Sequence, residues 1–171
     1  MNRAHNAQEA DYAIKAVQDA GYTNITIDLI YGTPGLTDKN WLYNLNKVHE
    51  LDIPHLSAYA LTVEENTALH HNIKTKKSAP VDAAQSAHQF EILMNKAEEM
   101  GFEHYEISNF AKQGHRALHN TNYWLGAHYL GIGPSAHSFN GHSRQWNIAN
   151  NALYMKSIIT DKQLNFEQET L

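Results

Sequence analysis

An α/β fold, with parallel strands joined by outer helices, is what this sequence predicts, and three observations carry that expectation. Helical apolar stripes alternate with short β-branched runs between residues 7 and 107. Two of those stripes run straight into a glycine, Gly21 and Gly101, the residue that most readily closes a helix. The strand-like run Ile25 to Tyr31 empties into the loop Gly32-Thr33-Pro34-Gly35. Strands separated by helices of this length pair in parallel through right-handed crossovers.

Each element follows from spacing. Ala10, Ala13, Ile14, Val17 and Ala20 recur on one helical face before Gly21, which predicts a helix over residues 7–21. A strand follows over residues 24–30. Its alternation sets Ile25, Ile27 and Leu29 on one face and Thr26, Asp28 and Ile30 on the other. A buried carboxylate at Asp28 would point away from the covering helices, into a barrel lumen or a cleft. Thr37 suits an N-cap, and the helix after it should bury Trp41, Leu42, Leu45, Val48 and Leu51. His55 to Leu61 reads as the next strand. Ala83, Ala87, Phe90, Met94 and Ala97 mark a longer helix that stops at Gly101, and Glu103 to Ile107 is the expected third strand. Three such strands cannot close a barrel. Asn109 to Asn140 is rich in Gly, His and Asn, lacks a period and is expected to form loops. A strand near Arg144 to Ile148 and a helix carrying Leu153, Tyr154, Ile158 and Ile159 complete the prediction.

Composition excludes several classes. The 171 residues are 42% hydrophobic and 18% charged, the balance of a soluble globular chain with room for a core. A formal charge of -5, with Lys74, Lys76 and Lys77 as the one basic run, argues against a surface that tracks nucleic acid. No run has the length of a membrane span and the start lacks a signal-peptide core, so a cytoplasmic location is expected. With 0 cysteines, disulfides and thiolate metal sites are excluded.

Five motifs carry a family resemblance: IDLIYGTPG, LSAYALT at Leu56 to Thr62, YEISNF at Tyr105 to Phe110, HNTNYW at His119 to Trp124, and YLGIGPSAHSF at Tyr129 to Phe139. In this order they resemble the radical S-adenosylmethionine proteins related to oxygen-independent coproporphyrinogen III oxidase, over nearly the whole chain. HNTNYW resembles the HemW branch of that family, the haem chaperones. The resemblance implies the second half of a TIM-like, incomplete β/α barrel over residues 1–110, and over residues 111–171 a loop-rich extension and helix leading toward a further C-terminal domain. It also implies that this is a piece of a longer protein. The parent would hold S-adenosylmethionine and a four-iron, four-sulfur cluster on a CxxxCxxC loop that is absent here.

The family's cofactor contacts carry over to particular residues. Arg3, in NRAH, matches an arginine that contacts S-adenosylmethionine, and a guanidinium can hold a carboxylate through two parallel bonds. The blander reading is a solvated terminal arginine. Asp28 matches an aspartate that accepts from the cofactor's sugar or amine; its structural alternative is a carboxylate satisfied by backbone amides. Ala60 and His137 match two further contacts. A small residue at 60 lets backbone approach the adenine, and a backbone contact at 137 survives the exchange of an apolar residue for histidine. His119, Tyr123 and Trp124 are the candidates for facing haem, since imidazole is a common axial ligand and flat rings pack on a porphyrin. The alternative is a packed loop with both aromatics in the core.

The chain has 12 histidines, yet their positions form no ligand set, so no metal site is expected; His115 and His119 alone would leave zinc short of ligands. Gly131 to Ser138, GIGPSAHS, serves either close approach to an anion or cofactor or tight chain reversal. Tyr31 and Gly32 sit where α/β folds place ligands, and Gly32, Pro34 and Gly35 also suit a turn.

Three functions stand at this point. The first is a HemW-like protein that binds haem and delivers it to haem-requiring partners. The second is an oxygen-independent coproporphyrinogen III oxidase acting on porphyrin propionates. The third is an inert α/β module that self-associates through an exposed sheet edge. The chain alone is expected to make no 5'-deoxyadenosine from S-adenosylmethionine under anaerobic reducing conditions, because it has no thiolate to hold a cluster. Product detected by chromatography would refute that expectation.

Overall fold

The computed structural model describes residues 5–171, which fall into two compact units, one ending at Ala117 and the other covering Leu118–Leu171. In the first, helix α1 (Ala7–Asp19) opens with a capping box. The Asn6 side chain accepts from the amides of Gln8 and Glu9, and the Glu9 carboxylate takes the Asn6 amide in return. Strand β1 (Thr26–Tyr31) leads through the glycine loop to α2 (Asp38–Glu50), capped by the Thr37 hydroxyl as the sequence predicts. Strand β2 (His55–Ala60), a short α3 (Ala68–Lys74), α4 (Ala83–Glu99), β3 (Glu103–His104) and β4 (Asn109–Ala111) follow.

The sheet order is β1-β2-β4-β3, with β1 and β2 parallel and both remaining pairings antiparallel. This corrects the third strand. Glu103 to Ile107 is not one parallel strand beside β2; β3 runs in the direction of β2 but is only Glu103–His104, and β4 turns back between them. The reversal is held by a Glu106 carboxylate that accepts from the Ser108 amide at 3.1 Å. The Ser108 carbonyl then accepts from the Ala58 amide at 2.8 Å, which claims the edge of β2. A turn built by a glutamate, with no glycine or proline, leaves only Ser108 and Asn109 as punctuation in the sequence.

The core lies between the sheet and α2 and α4. Trp41, Leu45, Val48, Leu56, Leu93 and Phe110 are fully buried. Two members of the predicted stripes, Leu42 and Met94, instead stay 39% exposed. On α4 the inward face is Gln89, Leu93 and Ala97, not Ala83, Ala87 and Met94, because the buried amide of Gln89 fixes the helix rotation. Its Oε1 accepts from the Gly32 amide at 2.8 Å, its Nε2 donates to the Leu36 carbonyl at 2.9 Å, and its own carbonyl accepts from Trp41 Nε1 at 2.9 Å.

The second unit holds α5 (Leu118–Trp124), β5 (His137–Phe139), β6 (Ser143–Asn147), α6 (Asn151–Ile159) and β7 (Phe166–Thr170). Its three strands form an antiparallel sheet in the order β5-β6-β7. Residues 109–140 are therefore not all loop: they contain β4, α5 and β5. Among the described residues no helix is long and apolar enough to cross a membrane.

Gln89→Leu should lower stability to urea unfolding by about 2 kcal/mol, since a leucine keeps the volume but leaves the buried Gly32 amide without its acceptor. An unchanged midpoint would show that Gln89 does not hold the loop.

Candidate functional site

The second unit builds a hollow from its helix, its sheet and the glycine loop between them. His119 and Tyr123 lie four residues apart on α5 and so share a face; their rings meet edge to face at 5.0 Å. Tyr123 meets Tyr129 at 4.8 Å, and Tyr129 bridges to Phe139 of β5 through backbone bonds of 2.9 and 3.0 Å. Register sets His137 opposite Trp146 and Phe139 opposite Arg144, so these four side chains share one sheet face. The result is a hollow of about 600 Å³, within the range of small-molecule sites, lined by His119, Tyr123, Tyr129, His137 and Arg144 with Leu130, Gly131, Ser135 and Ala136 of the loop.

The loop is shaped from beneath. The buried Asn147 amide donates to the carbonyls of Gly131 at 3.3 Å and Gly133 at 2.9 Å, while the Tyr154 hydroxyl accepts from the Gly133 amide at 3.1 Å. A Cβ on Gly131 would stand 2.2 Å from the His137 carbonyl oxygen, so this glycine serves approach of two backbone segments. Gly32 is required for a different reason, its φ of +70°, and a Cβ there would meet the Ser86 side chain. Tyr31 is only 8% exposed, and its ring packs between Trp41 and Phe90 in the core.

His119, Tyr123 and His137 thus converge on one hollow. Trp124 stands outside its lining and is 60% exposed. HNTNYW lies on a helix where a loop is the sequence expectation, and neither Tyr123 nor Trp124 is core. Arg144 is a lining residue that sequence reasoning missed, as are Tyr129 and Leu130; only the strand register, which sets Arg144 opposite Phe139, could have placed it.

In the first unit Asp28 lies on the sheet face turned away from the core, as the alternation predicts, but it is exposed and not buried. Register puts it in one row with Ser57 and Asn109. Ala60 ends β2 beside Tyr31, on the opposite face from Asp28. Arg3 lies outside the described residues. Next to Asp28 on the same face is a chain the sequence did not announce: Thr26 Oγ1 to His55 Nδ1 at 2.7 Å, His55 Nε2 to the Tyr105 hydroxyl at 2.7 Å, with that hydroxyl accepting from the Ala117 amide at 3.2 Å. Burial pushes the His55 imidazole below its ordinary 6.5, against the opposing pull of Asp28 and Glu106. Burial likewise raises the Tyr105 phenol above 10.0. Among the described residues no group of three or more His, Cys, Asp or Glu side chains is placed to hold a metal ion.

No family model matches the chain. Its fold superposes on that of coproporphyrinogen III oxidase (HemN) from Escherichia coli, a radical SAM enzyme, with a TM-score of 0.75 over 98% of this chain and 41% of that one, at 22% identity. The fold is therefore that of part of a radical S-adenosylmethionine protein. Sequence likeness is higher elsewhere: 35% over 148 residues with the heme chaperone HemW of Mycobacterium tuberculosis, covering 86% of this chain and 38% of that protein. Bacillus subtilis HemW gives 34% over 148 residues, again 86% of this chain and 39% of that protein. The chain is similar to part of the HemW proteins over most of its own length, and spans less than two fifths of the length of these relatives.

Two outcomes are expected here. The unfolded chain binds more protons than the folded one just below pH 6.5 because the folded His55 pKa is lowered, so stability falls as pH drops from 7 through that window. Urea unfolding at pH 7 and about 5.5 should show a smaller loss for His55→Gln than for the unsubstituted chain; equal losses would remove His55 as the cause. Gly131→Ala should destabilise by about 1–3 kcal/mol through overpacking against His137, and a thermal melting point equal to that of the unsubstituted chain would contradict the close approach.

Proposed function

We propose that this chain is the haem-binding portion of a HemW-like protein, with the hollow on the second unit as the place where a tetrapyrrole rests. The observation that carries this reading is the meeting of His119, Tyr123 and His137 around one space of about 600 Å³. Imidazole supplies an axial nitrogen for iron, and the half-exposed ring of Tyr123 offers an apolar face to the macrocycle. Delivery of haem to haem-requiring proteins in the cytoplasm is the function this reading assigns to the whole protein. It draws support from the relatives' description as heme chaperones.

S-adenosylmethionine is a second ligand of the whole protein on this reading, and Asp28 is the position in the first unit that matches a family contact and stays exposed. The exposed Asp28 carboxylate has the chemistry to accept from ribose hydroxyls or an ammonium group. An iron-sulfur cluster does not fit the residues present, because the chain has 0 cysteines. A decarboxylating oxidase draws only on the likeness of fold to HemN, which carries no activity.

Titration of the chain with ferric haem, followed at the Soret band, tests the proposal. Saturation near one haem per chain, weakened at least tenfold by His119→Ala, is expected; no saturable binding, or equal binding by the variant, would sink it.

A further inference from the structure

We infer that Arg144 is the carboxylate anchor of this hollow, so that the site selects tetrapyrroles bearing free propionates over neutral ones; this rests on the haem reading above. Arg144 is the one lining side chain with a permanent charge, and the lining contains no acid. All its other members are aromatic, apolar, small or imidazole. An amphiphilic plate suits that arrangement: an apolar body against Tyr123 and Tyr129 and an anionic edge toward the guanidinium.

The state of the guanidinium supports the assignment. Arg116 spends its fork on Glu103, through Nε at 3.1 Å and Nη2 at 3.0 Å. Arg144 has a looser partner, Glu169 Oε1, at 4.0 Å from Nη1, too long for a hydrogen bond, and the two side chains are 47% and 48% exposed. Such a pair contributes little to folding. It holds the guanidinium over the sheet face without satisfying its donors. Arg144 sits opposite Phe139 and in line with Glu169 across three strands, so it is positioned by rigid elements and not by a loop. An incoming carboxylate can take two parallel N–H bonds that Glu169 does not use.

The test compares ferric haem with its dimethyl ester, both presented in the same detergent, on the unsubstituted chain and on Arg144→Gln, Arg144→Lys and Glu169→Gln. Expected is a roughly tenfold loss of haem affinity in Arg144→Gln with ester affinity unchanged, since a charge-assisted pair of bonds is removed. Arg144→Lys should recover part of that loss, and Glu169→Gln should tighten haem severalfold by removing the competing acid. Circular dichroism guards against misfolding, which would weaken both ligands alike. Equal affinities across the variants, or equal losses for haem and ester, would overturn the anchor while leaving the His119 site standing. Failure of the unsubstituted chain to bind either ligand saturably would overturn both.

Discussion

The first unit depends on one buried amide. Gln89 is 0% exposed, and its bonds reach the loop after β1, the indole of α2 and the turn that starts α2. A polar group in that position is costly unless every bond is made. The cost turns into specificity, because a slide or rotation of α4 breaks bonds to Gly32, Leu36 and Trp41 together. Gln85 reinforces the same point by donating to the Leu36 carbonyl at 2.6 Å. What is held in place is the C-terminal end of β1, the end at which α/β folds place their ligands. Asp28, three residues upstream of Tyr31 on the face turned away from the core, takes its position from a strand whose exit is fixed in this way.

The same interaction explains where hydrophobic spacing misleads. A stripe of Ala83, Ala87, Phe90, Met94 and Ala97 is a sound amphipathic reading, and Ala97 is buried and Phe90 packs on the core as it expects, but it treats a glutamine as solvent-facing by rule. Gln89 goes inward with Leu93, while Met94 turns out. For α2 no buried polar residue intervenes, and Trp41, Leu45 and Val48 were legible as core from spacing alone. Thr37 and the glycine stops at Gly21 and Gly101 were legible as well, since capping is local chemistry. The antiparallel β4 was not. It is three residues long, and the turn before it rests on a Glu106 side chain that no turn signature contains.

The second unit shows the opposite economy. Its most buried residues include Asn147 and Ser157, while Leu118, Leu125, Leu130 and Ile132 are exposed by 76% or more. Hydrophobic periodicity therefore carried little information, and α5 and β7 escaped it. The organising bonds run from side chains to backbone, Asn147 to the glycine loop and Tyr154 to Gly133. Bonds of that kind depend on which strands pair, so they become visible only with the sheet assembled. The motif at His119 to Trp124 was legible as a candidate site through family resemblance. Its meeting with His137 and Arg144 was not, because that depends on a register between β5 and β6 that the sequence does not display.

The openness of this hollow bears on what kind of haem site it would be. A resident haem is enclosed on both faces, which slows its loss. Here the lining residues Tyr123 and Leu130 are 50% and 78% exposed, so one side of the site stays open to solvent. Covering such side chains with a planar ligand gains about 25 cal/mol per Å² of apolar surface removed from water, a gain that any second apolar surface can match. A receiving protein with a closed pocket would then win the haem by covering its free face, without first having to unfold the donor. On the proposed reading the same geometry that limits affinity also permits transfer, and a single loosely paired cation at the rim would orient the plate without locking it in place.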